Sequence, residues 1–269
     1  MIVTAHTRVF AVLGDPVAHS HSPRMHNAGF QAAGLDAIYV ALQPPAEGVV
    51  AQMMTLVRSG GGGNITIPFK QIAAQAPATR DPRVERLGSA NVFGGIGGDL
   101  HVGNTDVDGV LAALDRLDVI ADAWWVLGTG GSARSVAGAA AERGARVAIR
   151  SRDLARAADF AAWAASIGAG AAEPGECRLV INTTPLGLSL ADPQPLDPGR
   201  LPAGAAVLDL VYAPIGATAW VRACQARGVR ALDGREVLLA QGAASWKLWF
   251  PEVAPPIELM RAALDGRLD

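Results

Sequence analysis

From Arg8 onward the chain alternates short apolar runs with stretches of helical period. RVFAVLG (8–14), AIYVALQ (37–43) and NITI (64–67) read as strands. Between the first two, a helix fits 23–33, with Ser22 as its cap, Pro23 at the first helical position and Gly34 as its stop. A second helix spans 46–59 and is closed by the run Gly60 to Gly63, and Pro68 opens a third that reaches about Ala76. SANVFGGIGGDLHVGN (89–104) reads as a hairpin turning at Gly97-Gly98.

The pattern then restarts. AWWVLG (123–128) is a strand running into GTGGSAR, and an Ala-rich helix over 132–143 ends at Gly144. ARVAIR (145–150), RLVINT (178–183) and AAVLDLVY (205–212) are further strands. A helix covers 152–167, and the Pro- and Asp-rich ADPQPLDPG (191–199) is a loop. Strands alternating with helices predict an α/β chain whose largely parallel sheets are covered on both faces. Two such units meeting near residues 104–110 predict two domains with a cleft between them.

Composition narrows the class. Of 269 residues, half are apolar and 18% are charged, which excludes a disordered chain. A net charge of −2 gives no basic surplus for nucleic acid. The two cysteines, Cys177 and Cys224, fit no metal or redox spacing and read as thiols in a reducing compartment. MIVTAHTRVF lacks a charged start followed by a long apolar run, and no stretch of about 18 uncharged apolar residues occurs. The expectation is a cytoplasmic protein with no membrane partner.

Candidate chemistry sits at the strand ends. VLGTGGSARS holds G-x-G-x-x-A as Gly128, Gly130 and Ala133, after a strand and before a helix, the context of a dinucleotide-binding turn. The next strand ends in Arg150, Ser151 and Arg152, whose guanidinium groups suit a 2′-phosphate and favour NADP over NAD; a solvated surface pair is the alternative, and Asp153 adds opposing charge. Lys70 follows Pro68 closely, near a helix N-terminus where a cation opposes the helix dipole. Asn104, Thr105 and Asp106 lie just before the second unit, where either Thr105 or Asp106 also suits a helix cap. Within VAHSHSPRMHN (17–27), Ser20 and Ser22 would point the same way in an extended segment and bind a polyol or carboxylate. The rival is a metal site of His19, His21 and His26.

Together these motifs resemble the shikimate dehydrogenase family over essentially the whole chain. GDPVAHSHSPRMHN (14–27) matches its G-[DN]-P-x-x-H-S-x-S-P-x-x-H-N, and GGNITIPFK (62–70) its G-x-N-[VI]-T-x-P-x-K. VGNTDVDG (102–109) supplies GNTDVDG, with one spacer of the family's G-x-N-T-D-x-x-G missing. The glycine turn, INTTPLG (181–187), DLVYAPIGAT (209–218) and GREVLLAQGA (234–243) follow in family order.

The resemblance implies reversible NADP-linked reduction of the 3-dehydroshikimate ketone to an alcohol, without a metal. It implies Lys70 and Asp106 as the catalytic pair. Ser20, Ser22, Thr66, Asn91 and Gln241 fall at substrate-binding positions, with Asn64 and Tyr212 close by. Gly128, Gly130, Gly131, Ser132, Ala133, Arg150, Ser151, Arg152, Thr183 and Gly234 fall at cofactor positions. The histidines of the opening motif become mostly structural. The implied fold is a substrate domain of residues 1–106 plus 237–269 and a Rossmann-type NADP-binding domain of 107–236. The C-terminal helices return to the first domain, in a monomer or homodimer.

Three departures stand out: the family's N-R-T reads Ser151-Arg152-Asp153, Val92 replaces a Thr beside Asn91, and Thr129 replaces an Ala. The first two make a quinate/shikimate dehydrogenase using NAD, or a paralogue acting on an aminated relative, the main alternative; Thr66 leans toward shikimate. A non-catalytic NADP-binding sensor would lack Lys70 or Asp106, and both are present.

Overall fold

A computed structural model describes residues 2–189, 191–214 and 216–267; Ile215, within the DLVYAPIGAT motif, lies outside them. The chain forms two compact units, residues up to Thr105 together with those from Leu239 onward, and Asp106–Leu238.

The first unit runs β1 (Arg8–Leu13), α1 (Ser22–Ala32), β2 (Ala37–Leu42), α2 (Val49–Arg58), β3 (Gly62–Ile65), α3 (Lys70–Ala74), β4 (Thr79–Arg80), α4 (Pro82–Leu87), β5 (Val92–Ile96) and β6 (Asp99–Gly103). Its sheet has the order β2-β1-β3-β5-β6-β4. Neighbours are parallel except where β5 meets β3 and β6, so only β5 runs against the others. Ile96 pairs with Asp99, which closes the hairpin at Gly97-Gly98. Along β1 the side chains alternate between two buried layers. Ala11 and Leu13 join Met53, Ile65, Phe69 and Phe93 on one face, while Phe10 packs on Phe30 at 5.3 Å on the other.

Several boundaries differ from the sequence reading. Gly62 and Gly63 belong to β3 rather than to a helix stop, because their backbones pair with Phe10 and Ala11. Pro68 does not open a helix. The Phe69 N–H donates to the Thr66 carbonyl (2.9 Å), a turn that delays α3 until Lys70. The α1 N-cap is His21, not Ser22, and among the described residues no side chain caps it. His21 has αR backbone angles, so Ser20 and Ser22 are not in an extended segment. A turn closed by the Ser20 N–H on the Val17 carbonyl (3.0 Å) places the Ser20 hydroxyl to accept from the Ser22 N–H (3.3 Å).

The second unit begins with α5 (Asp106–Leu117) and continues through β7 (Ala123–Leu127), α6 (Gly131–Arg143), β8 (Arg146–Arg150), α7 (Leu154–Ser166), β9 (Leu179–Asn182), β10 (Ala206–Asp209), α8 (Ala219–Gln225) and β11 (Ala231–Leu232). Its five strands are all parallel, in the order β11-β10-β9-β7-β8. The first strand, β7, is flanked by the second on one side and the third on the other. The topological switch point is therefore at the C-terminal ends of β7 and β9, where this architecture places ligands. The α7 helix begins at Leu154, two residues later than the sequence reading, because Asp153 is its N-cap and accepts from the Arg156 N–H (3.1 Å).

The chain then enters α9 (Arg235–Trp249), whose residues from Leu239 belong to the first unit, and ends with α10 (Ile257–Leu264). In the first unit α10 packs on α1. Trp246 and Phe250 join the Phe10–Phe30 layer, with ring centroids 5.3–5.5 Å from Phe30. This aromatic seam holds the returning helix to the N-terminal half, with aromatic pairs each adding about 0.5–1.5 kcal/mol beyond burial.

Candidate active site

In the first unit, Asn64 at the end of β3, Asn91 just before β5 and Gln241 on α9 are buried and hydrogen-bonded to one another. Buried amides need partners, and here they find them mutually. The Tyr39 hydroxyl donates to Asn64 Oδ1 (2.7 Å). Asn64 Nδ2 donates to the Asn91 carbonyl (3.1 Å) and to Ser245 Oγ (2.9 Å). Asn91 Oδ1 accepts from the Thr105 N–H (2.7 Å), and Asn91 Nδ2 donates to Thr105 Oγ1 (3.1 Å) and Gln241 Oε1 (3.3 Å). Sequence reasoning missed Ser245, Thr105 and Tyr39 as members of this network. Ser245 was legible in principle, since it lies four residues after Gln241 on one helical face.

Lys70 is the first residue of α3 and is only 8% exposed. Its carbonyl accepts from the Ala90 N–H (3.0 Å), which ties it to the residue preceding Asn91. Thr66 opens the turn before it, with its N–H on the Leu13 carbonyl (2.9 Å). Ser22 is buried and Ser20 half-buried at the start of α1.

The GDPVAHSHSPRMHN motif also has a structural half. Asn27 pairs both backbone groups of Tyr39, donating to its carbonyl and accepting from its N–H at 2.8 Å each, which occupies part of the edge of β2. His26 is fully buried, stacked on Tyr39 (4.5 Å, 21°) and edge-on to Trp249 (5.1 Å). Among the described residues neither ring nitrogen has a partner, and burial pushes its pKa down to about 3. Gly242 of α9 makes room for this ring, since a Cβ there would lie 3.3 Å from His26 Nε2 and run into Met25 Cε. Among the described residues no group of three or more His, Cys, Asp or Glu is placed to hold a metal ion, and His26 is enclosed by aromatic rings instead.

In the second unit, the glycine turn follows β7 and opens α6 at Gly131. Gly128 has φ +115°, and a Cβ there would lie 2.5 Å from Thr183 Oγ1, so both backbone angle and space demand glycine. Thr183, just after β9, donates through Oγ1 to the Leu127 carbonyl (2.7 Å), joining the two strand ends at the switch point. Gly130 differs: it has an ordinary φ, and a Cβ there would meet nothing within 4 Å. The protein itself does not need glycine at that position, so the open space above the α6 N-terminus fits an incoming pyrophosphate. Ala133 is fully buried under the turn, and Gly131 and Ser132 supply the first helical turn.

Arg150 and Arg152 are exposed at the end of β8, and among the described residues neither guanidinium makes a hydrogen bond or ion pair. Ser151 Oγ accepts from the Asp153 N–H (3.3 Å). Asp106 is the first residue of α5, favourably placed for a helix dipole, and Ser135 Oγ lies 3.5 Å from its Oδ2. Tyr212 is half-buried beyond β10, and Gly234 is buried just before α9. Two further residues organise these loops: Asn182 Nδ2 donates to Asp209 Oδ1 (2.8 Å), and Asp209 also accepts from Thr218 Oγ1 (2.8 Å) and the Val211 N–H (3.1 Å). Burial raises the Asp209 carboxyl to about 6 despite these donors.

A parallel five-stranded unit with a glycine turn at its switch point, joined to a unit holding a buried amide network and a buried lysine, defines a two-unit α/β protein of the dinucleotide-binding class. Residues 12–93 match the shikimate dehydrogenase substrate binding domain, and residues 234–264 the shikimate 5'-dehydrogenase C-terminal domain. The chain is 36% identical to the NADP(+) shikimate dehydrogenase of Halobacterium salinarum over 97% of this chain and 99% of that one. It is 33% identical to shikimate 5-dehydrogenase of Thermus thermophilus, solved in complex with NADP(H) and shikimate (TM-score 0.86; 97% and 99% covered). At 25% identity it also aligns with the ligand-free 5-ketofructose reductase of a Gluconobacter strain (TM-score 0.84; 97% and 99% covered). The chain belongs to the shikimate dehydrogenase family.

Proposed function

We propose that this protein is a shikimate dehydrogenase that catalyses the reversible NADP-linked reduction of 3-dehydroshikimate to shikimate. The observation that carries this reading is end-to-end similarity to a relative solved with both NADP(H) and shikimate. The first unit is the substrate domain and the second the cofactor domain, with the boundaries falling near Thr105 and Leu238.

The residues of the second unit fit the cofactor. The α6 N-terminus and the open space at Gly130 receive the pyrophosphate, and Arg150 and Arg152 the 2′-phosphate. When bound, the nicotinamide supplies hydride chemistry. In the first unit, Ser20 and Ser22 hold the substrate carboxylate, while Thr66, Asn91 and Gln241 orient its hydroxyl groups. Asn64 lies beside them, and its Nδ2 donates to the Asn91 carbonyl and to Ser245 Oγ, which braces its neighbours. Lys70 donates a hydrogen bond to the substrate's reacting oxygen, stabilises negative charge developing there, and with Asp106 transfers the proton.

Initial rates of NADP and NAD reduction with shikimate, quinate and other polyol acids test this reading. The largest kcat/KM is expected for shikimate with NADP. A larger value for quinate with NAD would favour the second reading, which rests on Val92 and Asp153. Asp153, however, is committed as the α7 cap.

A further inference from the structure

Ser245 is completely buried on α9, and its hydroxyl sits where the amide network changes direction. A hydroxyl has one proton to give and two lone pairs to receive with. Ser245 Oγ gives its proton to the Gln241 carbonyl one turn earlier (2.8 Å). It must therefore accept from both other neighbours, Asn64 Nδ2 (2.9 Å) and Thr105 Oγ1 (3.1 Å). This assignment propagates. With the Thr105 proton directed at Ser245, Thr105 Oγ1 is left to accept from Asn91 Nδ2 (3.1 Å). The competing geometry, Thr105 Oγ1 donating to Asn91 Oδ1, is longer at 3.4 Å, and that oxygen already accepts from the Thr105 N–H. One buried hydroxyl thus sets the direction of the Thr105 hydroxyl and takes one Asn64 proton, while backbone groups fix the amide directions: the Thr105 N–H on Asn91 Oδ1 and the Asn91 carbonyl on Asn64 Nδ2.

We propose that Ser245 is a positioning residue for substrate recognition: its hydroxyl, by accepting from Asn64 and Thr105, keeps Thr105 Oγ1 turned as an acceptor toward Asn91 Nδ2 and keeps Asn64 Nδ2 from competing for Gln241 Oε1, and so holds the Asn91 and Gln241 amides in place for the substrate. The inference rests on the substrate-binding role proposed above for Asn91 and Gln241. Ser245 itself need touch neither substrate nor cofactor. Removing the hydroxyl leaves one Asn64 amide proton with only Gln241 Oε1 (3.5 Å) to turn to, and frees the Thr105 proton, so Thr105 Oγ1 is no longer held as the acceptor of Asn91 Nδ2. Buried donors left without partners are costly, and partly satisfied networks reorganise.

The test compares wild type, Ser245→Ala and Ser245→Thr in steady-state kinetics and in side-chain amide hydrogen exchange followed by NMR. In Ser245→Ala, KM for shikimate is expected to rise roughly fivefold or more, while KM for NADP stays within about twofold. Ser245→Thr, which keeps the hydroxyl, is expected to recover most of the loss, and Asn64 side-chain protons should exchange faster in the Ala variant only. A purely structural role would lower stability without separating the two KM values. The proposal is overturned if KM for shikimate is unchanged in Ser245→Ala, if both KM values rise together, or if Thr behaves like Ala. Should wild type turn over quinate in place of shikimate, the proposed function is corrected and the same comparison on quinate decides Ser245. Should it turn over neither, the exchange experiment decides: unaltered Asn64 exchange in Ser245→Ala overturns the inference, and faster exchange supports it.

Discussion

His26 makes the first unit sensitive to acid in a way that can be isolated. The imidazole is fully buried among Tyr39, Phe30 and Trp249, has no partner on either nitrogen among the described residues, and has its pKa pushed down to about 3 by burial. In the unfolded chain the same ring titrates near its usual value of about 6.5. Between those two values the unfolded state binds a proton that the native state does not, so stability falls as pH falls. At 1.36 kcal/mol per pH unit, the loss between pH 7 and pH 4.5 is about 2.5 kcal/mol. Asp209 works in the opposite direction. Its carboxyl, raised by burial to about 6, is protonated in the native state before the unfolded one, so it adds stability as pH falls from about 6 toward 4. The two slopes largely offset one another in wild type, and the difference between wild type and a variant is the informative quantity. His26→Phe keeps the stack on Tyr39 and removes the titration. Urea unfolding at pH 7 and pH 4.5 should show the variant gaining about 2.5 kcal/mol relative to wild type over that interval, whatever their difference at pH 7. Parallel changes in the two proteins, within about 0.5 kcal/mol, would refute the assignment of a neutral, unpartnered His26.

Two substitutions probe the chemistry. Lys70→Ala should lower kcat by roughly 10²–10⁴, the range for lost proton-transfer groups, with much less change in KM; a loss confined to KM would make Lys70 a binding residue only. Arg152→Ala should raise KM for NADP roughly tenfold or more while leaving KM for NAD nearly unchanged, because only NADP carries the phosphate the guanidinium would hold. Equal effects on the two would place that phosphate elsewhere.

The strands and most helices were legible because their apolar runs are short and their stops are marked by glycine or proline, as at Gly34 and Gly144. What the pattern did not carry was local backbone geometry. Pro68 looked like a helix start, but the turn from Thr66 to Phe69 intervenes and makes Lys70 the first helical residue. Ser22 looked like a cap, but the preceding turn makes it part of the helix. The two-residue β4 and the short α4 left no periodicity to read; α4 is fixed by Asp81, which accepts from the Val84 N–H (2.7 Å) and the Asn104 N–H (2.9 Å). Within the site, motif residues such as Asn64, Asn91 and Gln241 were found by resemblance, whereas Ser245 and Tyr39 act through partners far away in sequence. Only the folded first unit brings Ser245 within 2.9 Å of Asn64.

Oxidation of shikimate with NADP by this chain is measured directly as the rate of NADPH formation by the purified wild-type protein, set beside NAD and quinate under the same conditions. The largest kcat/KM is expected for shikimate with NADP; turnover confined to another polyol, or a clear preference for NAD, would overturn the proposed function.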